Sequence, residues 1–185
     1  TVATVLKRPR ASFAGSSETA YLCDTAPAME MVGMRRLPVM MWVSHLSTMM
    51  DPSRGDIHLH GLDAQAISGL PGLLEEPAVI MDTSWTATRT DVVVMLLDAV
   101  DAHGNPLVAA IRPDAKIPTR RYGPCIPSNT LLSAYGRLDI DDYLRFMRRN
   151  RKILFIDGTR LESLARKCPR NISAPLAGLK RDRML

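Results

Sequence analysis

The run Val92-Val-Val-Met-Leu-Leu97 is apolar without alternation, the pattern of a strand buried on both faces. Asp101-Ala-His-Gly-Asn-Pro106 follows as a turn, because Gly104 and Asn105 tolerate positive φ and Pro106 cannot donate to a ladder. Leu107 to Ile111 then returns as an antiparallel partner, and Ala78 to Asp82, set off by Pro77, is a third strand. A fourth is expected over Thr130–Gly136, where a period of two puts Leu131, Ser133 and Tyr135 on one face and Leu132 and Ala134 on the other. Lys152 to Asp157 is a fifth.

Helical spacing marks other stretches. Ile140, Tyr143, Leu144 and Met147 follow i, i+3, i+4, i+7 over 139–150, with Asp139 as a candidate cap. The acidic start and the Arg145, Arg148, Arg149, Arg151 end of that segment both suit the helix dipole. Thr25 to Gly33 is a short helix with Pro27 in its first turn, and Leu37 to Val43 an apolar strand opened by Pro38. Leu62 to Leu74 begins a helix capped by Asp63 and interrupted at Pro71, and Thr159 to Lys167 is a last short helix. The opening six residues suggest a short strand. Pro113 to Pro127, with four prolines, reads as a long irregular connection.

These elements divide the chain into an arm or linker over 1–20, one domain over 21–168 and a basic tail over 169–185. Composition fits a globular domain: 46% hydrophobic, 23% charged, mean hydropathy −0.03. The 24 Lys and Arg against 19 Asp and Glu give +5, a balance open to a nucleic-acid partner. Cys23, Cys125 and Cys168 are too few and too scattered for a disulfide framework or a paired metal motif. No apolar run reaches the length of a membrane span. The Thr1 start suggests a piece of a longer polypeptide.

The chemistry-bearing residues are sparse. No phosphate-binding glycine loop, nucleophile elbow or His-Glu-x-x-His is present. Asp56, His58 and His60 would share one face of an extended segment, but no further Cys or His stands at a ligand spacing, so neither metal nor cofactor is expected. Lys116, Arg120 and Arg121 form a basic cluster that could steer a polyanion, or a plain solvated loop. The remaining His, Ser, Tyr and Arg side chains are enough for metal-independent RNA cleavage, in which a base takes the 2′-hydroxyl proton, an acid protonates the leaving oxygen and a cation stabilises the phosphorane.

The succession Thr25-x-Pro27, Gly33, Leu37-Pro38, His45-Leu46, His60-Gly61-Leu62, Leu70-Pro71-x-Leu73-Leu74-x-x-Pro77, His103-Gly104-Asn105-Pro106-Leu107-Val108, Ser133-x-Tyr135-Gly136 and Leu154-Phe155-Ile156-Asp157 resembles the C-terminal domain of phage MuF-type proteins. That domain belongs to the phage branch of the barnase–EndoU–colicin–RelE-like nucleases. The resemblance covers roughly residues 20 to 167. It implies an α+β fold, with short N-terminal helices, a four- to five-stranded antiparallel sheet and one or two C-terminal helices. It implies a metal-independent endoribonuclease used as a toxin or effector of phage or mobile-element origin. Such a protein acts on RNA, tRNA among the candidates, in the bacterial cytoplasm, sometimes as part of a larger phage or secreted protein, and can have a cognate immunity protein. Carried over by motif, His60 is the general base or acid, and Ser133 and Tyr135 are phosphate or proton-transfer groups. Arg112 stands where the family pattern often has His and is the cationic stabiliser, with Lys116, Arg120 and Arg121 as RNA-binding residues. Two rivals stay open: a non-catalytic domain that binds nucleic acid or a partner, and a virion or packaging accessory protein that assembles through its sheet edge.

Overall fold

A computed structural model describes residues 1–53, 58–59, 61–83, 91–118 and 123–172; for 58 and 59 it describes the backbone. The strands are β1 (Thr19–Asp24), β2 (Pro38–Trp42), β3 (His58–Leu59), β4 (Val79–Asp82), β5 (Val93–Val100), β6 (Pro106–Pro118), β7 (Cys125–Arg137) and β8 (Ile153–Ile156). The helices are α1 (Val2–Val5), α2 (Pro27–Met31), α3 (Val43–Met49), α4 (Ala64–Glu75), α5 (Ile140–Arg149) and α6 (Gly158–Lys167), with a 3-10 turn over Arg10–Ser12.

All eight strands join one sheet in the order β1-β2-β7-β6-β5-β4-β8, and β3 adds to β7 beside that path. The fold is α+β, but the expected four- to five-stranded antiparallel sheet is not what forms. The sheet is larger and mixed, because β2 runs parallel to β7 through Val39–Asn129, Met40–Thr130 and Met41–Leu131. That single parallel ladder brings β1 and β2, from the first quarter of the chain, onto a sheet otherwise built from the later residues. It depends on contacts far apart in sequence, so no local pattern announces it.

Helices cover both faces. Ile80, Met95, Leu97, Leu107, Ala109, Ile111 and Leu131 point into a core shared with α1 to α4. Val79, Met81, Val94, Leu96, Val108, Ala110 and Tyr135 point into a second core under α5 and α6. Two covered faces account for the unbroken apolar run at Val92–Leu97. The turn before β6 closes as expected, with Asp101 Oδ1 accepting from the backbone N–H of His103 and of Asn105 at 2.8 Å each.

Four other local expectations give way. The opening residues form α1 instead of a strand. The stretch before residue 20 carries Val2, Val5 and Phe13 into the first core and ends in β1. The helix runs through Pro71, because Ile67, Leu70 and Leu74 are fully buried on one stripe, and burying three such side chains outweighs the roughly 3 kcal/mol that an internal proline costs. The connection expected over 113–127 is instead largely strand. β6 runs to Pro118 and β7 starts at Cys125, so the two form a long hairpin arm. Its prolines are tolerated where the ladder is interrupted or at an edge: Pro113 lies in a register shift, and Pro127 precedes the point where β2 joins β7.

Candidate functional site

Strand β7 crosses the middle of the sheet, and the family motif Ser133-x-Tyr135-Gly136 lies on it. Ser133 pairs with Ala110 and Tyr135 with Val108, so both side chains stand on the α5–α6 face. Between Ser133 and Leu131 the register slips by one residue, leaving Leu132 as a bulge. The slip corrects the facing expected from simple alternation: Leu131 packs with Ala134 in the opposite core, and Leu132 turns to the side of Tyr135. Thr130 lies opposite Arg112, and Ser128 Oγ is 3.0 Å from Thr130 Oγ1. Hydroxyl-bearing residues therefore line one face of β7 at 128, 130, 133 and 135. Ser133 Oγ is buried and has no hydrogen bond among the described residues.

Arg112 joins this row on β6, with its Cα roughly 7 Å along the ladder from Ala110, the partner of Ser133. Its side chain is nearly half exposed, and Nε contacts Asp91 Oδ2 at 2.7 Å. Lys116 does not join them. Past Arg112 the register shifts again, with Asp114 at φ +51°, and Lys116 pairs with Pro127 on the other face of the arm. Arg120 and Arg121 lie outside the described residues.

The edge of β7 facing β2 has a gap. β2 covers residues 129–131 and β3 covers Gly136 and Arg137, with Leu59 opposite Gly136 and His58 opposite Arg137. Helix α3 fills the space between: the Ala134 N–H donates to Met49 Sδ at 3.1 Å, and His45 Nδ1 is 3.4 Å from the Leu131 carbonyl oxygen. Burial lowers the pKa of His45, partly offset by that carbonyl. A neutral ring donating through Nδ1 keeps Nε2 as the basic nitrogen. The Met49 carbonyl accepts from Gly61 and Leu62 at 2.8 and 2.9 Å, which fixes the chain just after residue 60. His60 itself, like Asp56, lies outside the described residues.

Reasoning from the sequence missed Arg137 and Tyr143. Arg137 follows Tyr135 at the next alternate position, and that spacing was the available signal. Its side chain is only 10% exposed. Nη2 donates to Asp139 Oδ2 at 3.1 Å, Nε meets Oδ1 at 2.8 Å as a charge contact without hydrogen-bond alignment, and the guanidinium carbon lies 3.7 Å from the centre of the Tyr143 ring. Asp139, expected to cap α5, makes no side-chain cap bond and faces Arg137 instead. Burial pushes Tyr143 up to about 12, with Arg137 pulling it down and Tyr135 and Asp139 pushing it up. The Tyr143 hydroxyl is therefore protonated near neutrality.

Among the described residues no three His, Cys, Asp or Glu side chains are gathered to hold a metal ion. None of their helices is long and apolar enough to cross a membrane.

The fold is thus an α+β domain in which β7 carries a row of largely buried Ser, Thr and Tyr hydroxyls, with an arginine on the neighbouring strand. The phage MuF C-terminal domain family model matches residues 52–163, more than half of the chain, and the chain belongs to that family. The match spans β3 to α6; the strands β1 and β2 that complete the sheet lie before it. No curated protein and no solved structure matches the chain.

Proposed function

We propose that this domain is a metal-independent endoribonuclease, acting as a toxin or effector of phage origin on RNA in a bacterial host. The observation that supports this reading best is that Ser133, Tyr135 and Arg112 stand on one face of β7 and β6. In the proposed reaction a base removes the proton from a ribose 2′-hydroxyl. That oxygen attacks the adjacent phosphorus, the P–O5′ bond breaks, and an acid returns a proton to O5′. The products are a 2′,3′-cyclic phosphate and a 5′-hydroxyl. Ser133 and Tyr135 lie under α5 and α6, so this reading requires that face to open before they donate to non-bridging phosphate oxygens. Arg112 stabilises the added negative charge, and His60, assigned through the family motif alone, is the base or acid.

The test is cleavage of total RNA and of tRNA by the purified domain in EDTA, beside His60→Ala, Ser133→Ala and Tyr135→Phe. Loss of cleavage by about 10²-fold or more in each variant is expected. Cleavage unchanged in Ser133→Ala and Tyr135→Phe sinks the site while keeping the activity. No cleavage by the unmodified domain, with RNA binding that weakens steeply in salt, replaces the enzyme with a binding module.

A further inference from the structure

The edge strand β8 is out of character for a sheet edge. Its four residues, Ile153-Leu154-Phe155-Ile156, are all apolar, and none is buried. Among the described residues it has a strand neighbour, β4, on one side only. Leu154 is 41% exposed and sits at a register shift opposite β4. Natural edges are blunted by shortness, bulges, charge or proline; β8 is short and bulged at Leu154, but it carries neither charge nor proline within the strand.

The two ends of β8 carry opposite charge. Before it stand Arg148, Arg149 and Arg151, all exposed, and then Lys152, whose Nζ lies 3.1 Å from Asp82. After it stands Asp157, on the rim of a groove that also holds Asp24, Glu75 and Glu76, with Phe155 and the 76% exposed Met31 as apolar lining. Arg160 contacts Glu76 and Asp157, which leaves the rim acidic.

We propose that β8 is the homodimer interface of this protein, pairing antiparallel with β8 of a second copy. A two-fold axis between Leu154 and Phe155 sets Leu154 opposite Phe155, Ile153 opposite Ile156 and Lys152 opposite Asp157 of the second copy. The basic end of each copy then meets the acidic rim of the other, twice over, as an isologous interface requires. The charge pattern selects a second copy over an unrelated strand, because one edge of the molecule carries both halves of the match: the arginines before β8 and, after it, Asp157 with Asp24, Glu75 and Glu76. A ladder of four residues spans only about 13 Å, so the flanking charges and the apolar groove must supply part of the interface.

Sedimentation velocity over a concentration series from low to high micromolar tests this, with circular dichroism to confirm folding of every variant. The unmodified chain is expected to dimerise, more weakly at high salt. Leu154→Lys is expected to weaken the dimer by at least about tenfold, since a charge is buried at the new ladder. Glu75→Lys and Arg149→Glu alone should each weaken it, and the two combined in one chain should restore it. A monomer at every concentration overturns the proposal. So does a dimer indifferent to Leu154→Lys, or one that the combined charge swap fails to restore.

Discussion

The carboxylate of Asp101 occupies the space that a Cβ on Gly136 would need: its Cγ lies 2.8 Å from that ideal position. The β5–β6 turn is therefore seated against the bare backbone of β7, next to Tyr135. The same carboxylate accepts from Asn105 Nδ2 and from two backbone N–H groups, so it cannot move aside without opening the turn. Gly136→Ala is expected to destabilise the domain by about 1–3 kcal/mol, the usual cost of overpacking. Urea denaturation checks it: an unchanged midpoint would mean the turn yields freely.

His45 gives the fold an acid limb. Its pKa is lowered by burial, so the native state binds its proton less readily than the unfolded chain does. The stability tied to the neutral ring is present above the ordinary histidine pKa and is lost as pH falls through the lowered value. His45→Gln, which keeps polarity without titrating, should flatten the stability profile below about pH 6.5. The check is the denaturation midpoint against pH for both proteins; equal slopes in acid would place the sensitivity elsewhere.

The cysteines set an alkaline limb. Burial raises Cys23 to about 12, with Glu75 and Asp24 adding to it, and raises Cys168 to about 11, with Asp98 adding and Lys167 opposing. Both values exceed the ordinary thiol value, so stability is full below that value and declines as pH rises from 9 toward these pKa values. Cys125 is exposed. A disulfide reagent at mildly alkaline pH should modify one thiol quickly and all three only after unfolding. Rapid modification of all three in the native protein would contradict the burial of the other two.

Arg137 ties the start of α5 to the end of β7 through Asp139 and Tyr143. Replacing it with Ala removes the charge facing a partly exposed carboxylate and the cover over a half-buried ring. A loss of about 1–3 kcal/mol is expected, below the cost of breaking a fully buried pair because Asp139 stays partly solvated. Loss of the cation also removes what pulls Tyr143 down, so its phenol should titrate at higher pH in Arg137→Ala. Spectrophotometric tyrosine titration checks this, and a downward shift would show that water replaces the guanidinium.

Local features were legible where one residue's own chemistry decides the outcome. The turn at Asp101–Pro106, the Asp63 cap, whose Oδ1 accepts from Ala66 N at 2.7 Å, and the apolar stripe of α5 all follow from short-range spacing. So does the placing of Ser133 and Tyr135 on one strand face, since the bulge at Leu132 falls before both. Other features needed the folded molecule. The arm of β6 and β7 is hidden by four prolines that are harmless only where the ladder is interrupted or lies at an edge. The pairing of β2 with β7 joins residues about ninety positions apart, and a parallel ladder has no turn to announce it. Helix α3 enters the edge of β7 because β2 and β3 leave that stretch uncovered. Arg137 acquires its role only when α5 folds back over it. Periodicity and turn chemistry act within a few residues and are written in the sequence itself; which strands become neighbours, and which polar groups are left without a partner when they do, is decided by packing across the whole chain.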